Sequence, residues 1–307
     1  MSLLLAKQIG ILFIYIFAGF LLVRSGLLRS EQSAPLSILS LYLITPCLIL
    51  NAFQIEFSSE IVTGVLLSLL YAVLAHLLFL LLTAILRKPL KLDAVEQASL
   101  IYTNCGNLIL PLITALLGSE WLIYSTVFIC VHLILLWSHG RSLLSGARAF
   151  SLRALLTNIN ILSCAAGLIL FVFRLRLPAF LLTVTDSLAS MVGPINMIVI
   201  GMLIGGAPLY QIFTNRRVYL VAALRLLLLP VVLLLVLKCS GLPGLHPNGN
   251  TLLLITLLAA SAPSASAITQ MSQVFGSDAV QSSQISILST IFSIVTMPLV
   301  IQLYTML

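Results

Sequence analysis

Asn104, Asn107 and Pro111 fall at i, i+3 and i+7 inside an apolar stretch that runs from about Ala94 to Gly118. That spacing puts them on one side of a helix, and the stretch is long enough to cross a bilayer. Amide side chains carry both donors and acceptors, so the asparagines suit either a polar cargo or the capping of opened backbone. Pro111 has no N–H to offer the carbonyl of Asn107, and a helix through it is expected to open there. A second apolar stretch has the same character, with Ser261, Pro263, Ser264 and Ser266 close together and Gln270 one turn further on. Broken backbone at membrane depth survives only where protein packs on it or where it lines a wet cavity. Two such interruptions in corresponding halves of a chain point to a binding site for a transported solute.

Three ionisable residues join this set. Arg225 lies about seven residues, or about 10 Å of helical rise, into its span, where a cation costs roughly 3 kcal/mol or more unless it faces a cavity or a partner. His76 and Asp186 are the others, read as coupling or supporting groups. Each candidate also has a plainer account. The asparagines suit half-helix capping as well as ligand contact, and the serines suit close helix packing. Arg225 can snorkel to the surface, a buried neutral His76 commonly bonds a backbone carbonyl, and Asp186 fits an interfacial position.

The elements that must hold these residues follow from composition. Of 307 residues, 61% are hydrophobic and 7% charged, against about a quarter charged in an average soluble domain. An all-α polytopic membrane protein is expected, with the lipid bilayer as its first partner. The net charge of +7 sits in short loops, which favours an orientation signal over nucleic-acid binding. Ten spans can be drawn, at about 8–24, 35–53, 60–86, 94–118, 121–139, 161–173, 179–205, 218–237, 251–275 and 279–305. Gly19 reads as a packing notch in the first, while His132 and His139 lie in the fifth. The segment 141–160 is expected to be a cytoplasmic connection with an interfacial helix. No cleavable leader is expected, because the first apolar run ends at Arg24 rather than at a small-residue site. Ten Lys and Arg fall in loops on one side and four on the other, with Arg225 left in a span. Both termini are therefore expected outside.

The halves repeat. Pro46 pairs with Pro194, His76 with Arg225, Pro111 with Pro263, and Gly118-Ser119-Glu120 with Gly276-Ser277-Asp278, at offsets of 148 to 158 residues. Five spans per half make the second copy inverted, with residues 1–140 and 161–307 as the two copies.

At this point the chain resembles the auxin efflux carrier family of membrane transport proteins. The resemblance rests on Gly19 to Leu22 with Gly26 to Leu28, on Leu43 to Leu48 around Pro46, and on Asn104 to Pro111. It continues through Pro194 to Gly201 and Ala260 to Leu299. It implies a ten-helix fold like that of bile-acid and sodium/proton transporters, with broken, crossing helices four and nine. It further implies a scaffold of spans 1, 2, 6 and 7 and an elevator-like transport domain of spans 3–5 and 8–10. A long central hydrophilic loop is absent, as in bacterial relatives, which are associated with small carboxylates such as malate or malonate.

The expected function is carriage of a small organic anion across the cell's inner membrane by alternating access. Proton or sodium coupling, another amphiphilic solute, and a non-transporting sensor stay open, as does a homodimer. An enzyme is not expected, since no nucleophile–base or paired-aspartate arrangement stands out. Neither a cofactor nor a metal is expected, because the five cysteines lack metal-ligand spacing.

Overall fold

The computed structural model describes residues 2–54, 59–146, 157–206 and 214–307. Among these the chain is helical throughout, and the one isolated extended pairing joins Thr103 to Ser264. Six helices are long and apolar enough to cross a membrane: Ser30–Asn51, Val62–Leu90, Leu122–Ser145, Ala179–Gly206, Arg216–Cys239 and Ala279–Met306. Shorter apolar helices are Gly10–Arg24 before them and Ile159–Val172 and Gly249–Ser261 between them. The helix Ser59–Leu90 shows why water is the wrong solvent for this surface. Leu66, Leu70, Val73, Leu77, Leu81 and Ile85 form one exposed stripe at helical spacing, which hydrocarbon covers without penalty. Residues 147–156 of the expected connection, with Arg148 and Arg153, lie outside the described residues; its start is the short helix Arg141–Ser145 and its end the first turn of Ile159–Val172.

Helix ends are set by local chemistry. Asp93 accepts the Glu96 N–H at 2.8 Å while Glu96 accepts that of Asp93 at 3.0 Å, a reciprocal cap. Asn158, Asn215 and Asp278 cap their helices from one side only, each accepting from backbone N–H of the first turn. Gly118 and Gly276 both have positive φ, at 110° and 77°, where a side chain would be strained. They follow the helices Cys105–Leu116 and Ser266–Phe275 at matching places; after Gly118 the chain enters the short 3-10 helix Ser119–Trp121, and after Gly276 it bends to the Asp278 cap.

Two prolines widen rather than break their helices. Before Pro46 the turn Ser40–Ile44 is π-helical, and before Pro230 so is Leu224–Leu228. In each, the N–H closing the turn, that of Thr45 or Leu229, reaches five residues back to Ser40 or Leu224. The bulge absorbs the donor that proline lacks. Arg225 sits in the second of these turns.

The closest helix packing joins Ser2–Arg24 to Val192–Gly206. A Cβ on Gly19 would overlap the Ile198 carbonyl, and one on Gly201 the carbonyl of Ile16. The backbones touch through these notches, which hold membrane helices together without a hydrophobic driving force. On the other side of the protein, Arg217 grips Glu96 with two hydrogen bonds of 2.8 and 2.5 Å. It also donates to the Leu90 and Lys91 carbonyls at 2.7 and 2.9 Å. That bidentate pair fastens the Arg225-bearing helix to the start of the first interrupted span.

Candidate functional site

Both interruptions are present, but they have different causes. In the second, Ser261 ends one helix and Ser266 starts the next, with Ala262 extended at φ −61°, ψ 153° just before Pro263. That is the conformation a following proline imposes. In the first, the helix Ala94–Ile101 stops at Tyr102, extended at φ −99°, ψ 132°, and Cys105–Leu116 begins after Asn104. No proline stands at 102–104. Pro111 lies in the middle of the second helical piece, so the expectation that it breaks the span is corrected. The break comes instead from the other interruption. The Asn104 N–H donates to the Pro263 carbonyl at 2.8 Å, and the Ala265 N–H donates to the Tyr102 carbonyl at 3.0 Å. Thr103 and Ser264 face each other in an antiparallel bridge. Each open segment supplies what the other lacks, as buried backbone requires.

Four half-helix ends meet at this bridge, and Arg225 serves two of them. The residue is fully buried. Its Nη1 donates to the Leu100 carbonyl at 3.1 Å, and its Nη2 to those of Ala260 and Ala262 at 2.5 and 3.2 Å. These carbonyls belong to the carboxyl ends of Ala94–Ile101 and Gly249–Ser261, or to the residue just past. The guanidinium also lies over the Phe79 ring, 5.1 Å from its centre. Among the described residues no carboxylate pairs with it.

The amino ends of Cys105–Leu116 and Ser266–Phe275 open on a small cavity of about 60 Å³, room for about two waters at liquid density. Asn104, Cys105 and Gly106 wall one side and Ala265, Ser266 and Ala267 another; Thr45, His132 and Asn196 contribute from neighbouring helices. The first turn of each half-helix directs N–H groups that have no carbonyl one turn back. Among the described residues no Asp, Glu, Lys or Arg is in the walls. Asn196 links three elements here. It accepts from Ser40 Oγ at 2.5 Å, donates from Nδ2 to Ser266 Oγ at 3.4 Å, and its carbonyl accepts from Gln270 Nε2 at 3.4 Å.

A family model described as "Membrane transport protein" matches residues 4–149 and 147–301, nearly the whole chain. The chain belongs to this family, the auxin efflux carriers. It is therefore a multi-pass transmembrane transport protein, and membership of a transporter family accords with carriage rather than catalysis. No curated protein matches it.

In this transporter the residues singled out from sequence separate into groups. Asn104 and Ser266 share the cavity wall. Pro263 and Ser264 form the bridge behind it, and Ser261 ends the helix leading there; the hydroxyls of Ser261 and Ser264 are buried without a hydrogen-bond partner. Arg225 lies at the carboxyl ends, not in the wall. Gln270 is buried and holds Asn196. His76 is buried with its Nδ1 at 2.7 Å from the Ala72 carbonyl, one side chain behind the cavity. Asp186 is exposed and accepts from Asn51 Nδ2 at 3.4 Å, away from the cavity. Asn107 and Pro111 belong to the helix Cys105–Leu116, and their side chains lie outside those described. Sequence reasoning passed over Asn196, Thr45 and His132 as site residues. The signal for Asn196 was present, an amide two residues after Pro194 in an otherwise apolar run.

Proposed function

We propose that this transporter carries a small organic anion, with the carboxylate held between the amino ends of Cys105–Leu116 and Ser266–Phe275. The observation that carries the reading is how charge is distributed over the four half-helix ends. Each carboxyl end bears about half a negative charge and each amino end about half a positive one. One guanidinium, Arg225, balances the two carboxyl ends. The two amino ends leave about one positive charge on a cavity with no acid among its described walls, which matches one carboxylate.

On this reading the chain makes ten spans in two inverted repeats, with both termini outside and residues 141–160 inside, in the inner membrane of a bacterial-type carrier. Spans 1, 2, 6 and 7 form the scaffold, and spans 3–5 and 8–10 slide along it as an elevator. The cavity's walls support that division: Thr45 and Asn196 come from the scaffold set, and Asn104, His132 and Ser266 from the sliding set.

Counterflow in proteoliposomes with purified full-length protein tests the reading. Short radiolabelled carboxylates are expected to exchange saturably, while the corresponding neutral amides are not. Equal exchange of acids and amides would show that negative charge is not what the site recognises. In the same vesicles, single cysteines placed at Lys7 and Arg141 check the orientation. Labelling of 141 but not 7 by an impermeant reagent, in right-side-out vesicles, would reverse it.

A further inference from the structure

The cavity has one wall residue whose hydrogen-bonding state the surrounding contacts determine. His76 Nδ1 lies 2.7 Å from the Ala72 carbonyl. A carbonyl only accepts, so this nitrogen carries the proton and His76 Nε2 is a bare lone pair. His132 Nδ1 stands 3.5 Å from that lone pair. Two bare nitrogens facing each other repel, so His132 Nδ1 carries its proton and donates to His76. The remaining nitrogen of His132, Nε2, is then an acceptor, and no hydrogen bond reaches it among the described residues.

His132 is 3% exposed, and what it is exposed to is the cavity. The titratable and charged neighbours are His76, Tyr102 with its ring 5.5 Å away and nearly perpendicular, Cys105 in the same wall, and Arg225. None is a carboxylate, so without a bound anion an imidazolium here would be a second buried cation beside Arg225 with no counter-charge, and the hydrogen-bond pattern is that of a neutral ring.

We propose that His132 is a specificity-determining residue, its Nε2 accepting a hydrogen bond from a hydroxyl or N–H that the cargo carries beside its carboxylate. The proposal rests on the anion site described above and narrows it from any small carboxylate to one bearing a donor close to the acid group. A buried acceptor discriminates strongly, because a cargo without the donor leaves it desolvated and unpaired.

Binding titrations on the detergent-solubilised full chain test this with matched probes: lactate against propionate, glycolate against acetate, and the neutral pair lactamide against propionamide. The hydroxylated acid of each pair is expected to bind about tenfold tighter or more. His132→Leu should bring the two members of a pair to equal affinity, with a melting curve showing that the variant is folded. His132→Gln, whose amide oxygen reaches a similar position, should recover part of the preference. Equal binding by the wild type, or a preference that survives His132→Leu, overturns the proposal. So does binding of the plain acids that strengthens as pH falls and loses that dependence in His132→Leu, which would make His132 a proton carrier. A His132-dependent preference in the amide pair with no binding of either acid would remove the anion reading and leave His132 standing. Failure of every probe to bind counts against both.

Discussion

At the bridge between the interrupted helices, the carboxyl ends of Ala94–Ile101 and Gly249–Ser261 are closed by Arg225, whereas the amino ends of Cys105–Leu116 and Ser266–Phe275 meet an uncharged cavity. The two sides use the same backbone chemistry with opposite sign. On the closed side the compensating charge is part of the chain and donates to three carbonyls. On the open side the donors are part of the chain and, on the proposed reading, the compensating charge arrives with the cargo. An arginine at membrane depth is easily taken for the ligand's anchor; here its hydrogen bonds run to the protein's own backbone, and the cavity lies at the other ends of the helices.

The largest expected effect is on the closed side. Arg225→Met keeps much of the side-chain volume but strands three buried carbonyls, and each buried acceptor left unsatisfied costs about 1–3 kcal/mol. Thermal melting in detergent should drop sharply, with Arg225→Lys intermediate because an ammonium cannot fork between helices. A melting point unchanged in Arg225→Met, with anion binding lost, would reverse the comparison and put the arginine at the cargo.

A smaller effect is expected on the open side, and it should show in affinity rather than stability. Ser266→Ala and Asn196→Ala each remove a polar group from the cavity wall. A hydrogen bond to a charged group is worth about 1.5–3 kcal/mol, so the substrate's apparent affinity in counterflow should weaken about ten- to a hundredfold. Both variants should melt within a few degrees of wild type. Unweakened exchange in both would detach the cavity from the transport path.

The smallest effect belongs to Ser261 and Ser264. Their buried hydroxyls have no partner, so replacement by alanine removes a desolvated polar group and leaves little behind. Ser261→Ala and Ser264→Ala should stay within about 0.5 kcal/mol of wild type in stability and exchange anions normally. Loss of exchange at an unchanged melting point would mean that cargo reaches the bridge itself.

How much of this was legible beforehand depends on whether the cause was local. Pro263 breaks its helix through its own ring and missing donor, and the break lies where the proline does. Asp93, Asn158, Asn215 and Asp278 cap through their own side chains, and Gly118 and Gly276 turn through their own φ. Composition alone required a membrane protein, and the paired landmarks of the two halves, Pro111 with Pro263 and His76 with Arg225, marked the spans that meet around the two interruptions.

The first break behaved otherwise. Pro111 was the local signal, yet the helix runs through it and opens at Tyr102–Asn104, because the hydrogen bonds that stabilise the opening come from Pro263 and Ala265, more than 150 residues away. The role of Arg225 was hidden for a related reason. Sequence required that a buried cation have partners, but carbonyl groups belong to every residue and leave no mark in the amino-acid letters. Only the fold decided that Leu100, Ala260 and Ala262 would converge on it. His132 depends on tertiary structure in the same way, since its free nitrogen follows from His76, which in turn follows from Ala72. Local stereochemistry is written residue by residue; the pairing of opened backbone, and which helix ends Arg225 closes and which face the cavity, exist only once distant segments share a place.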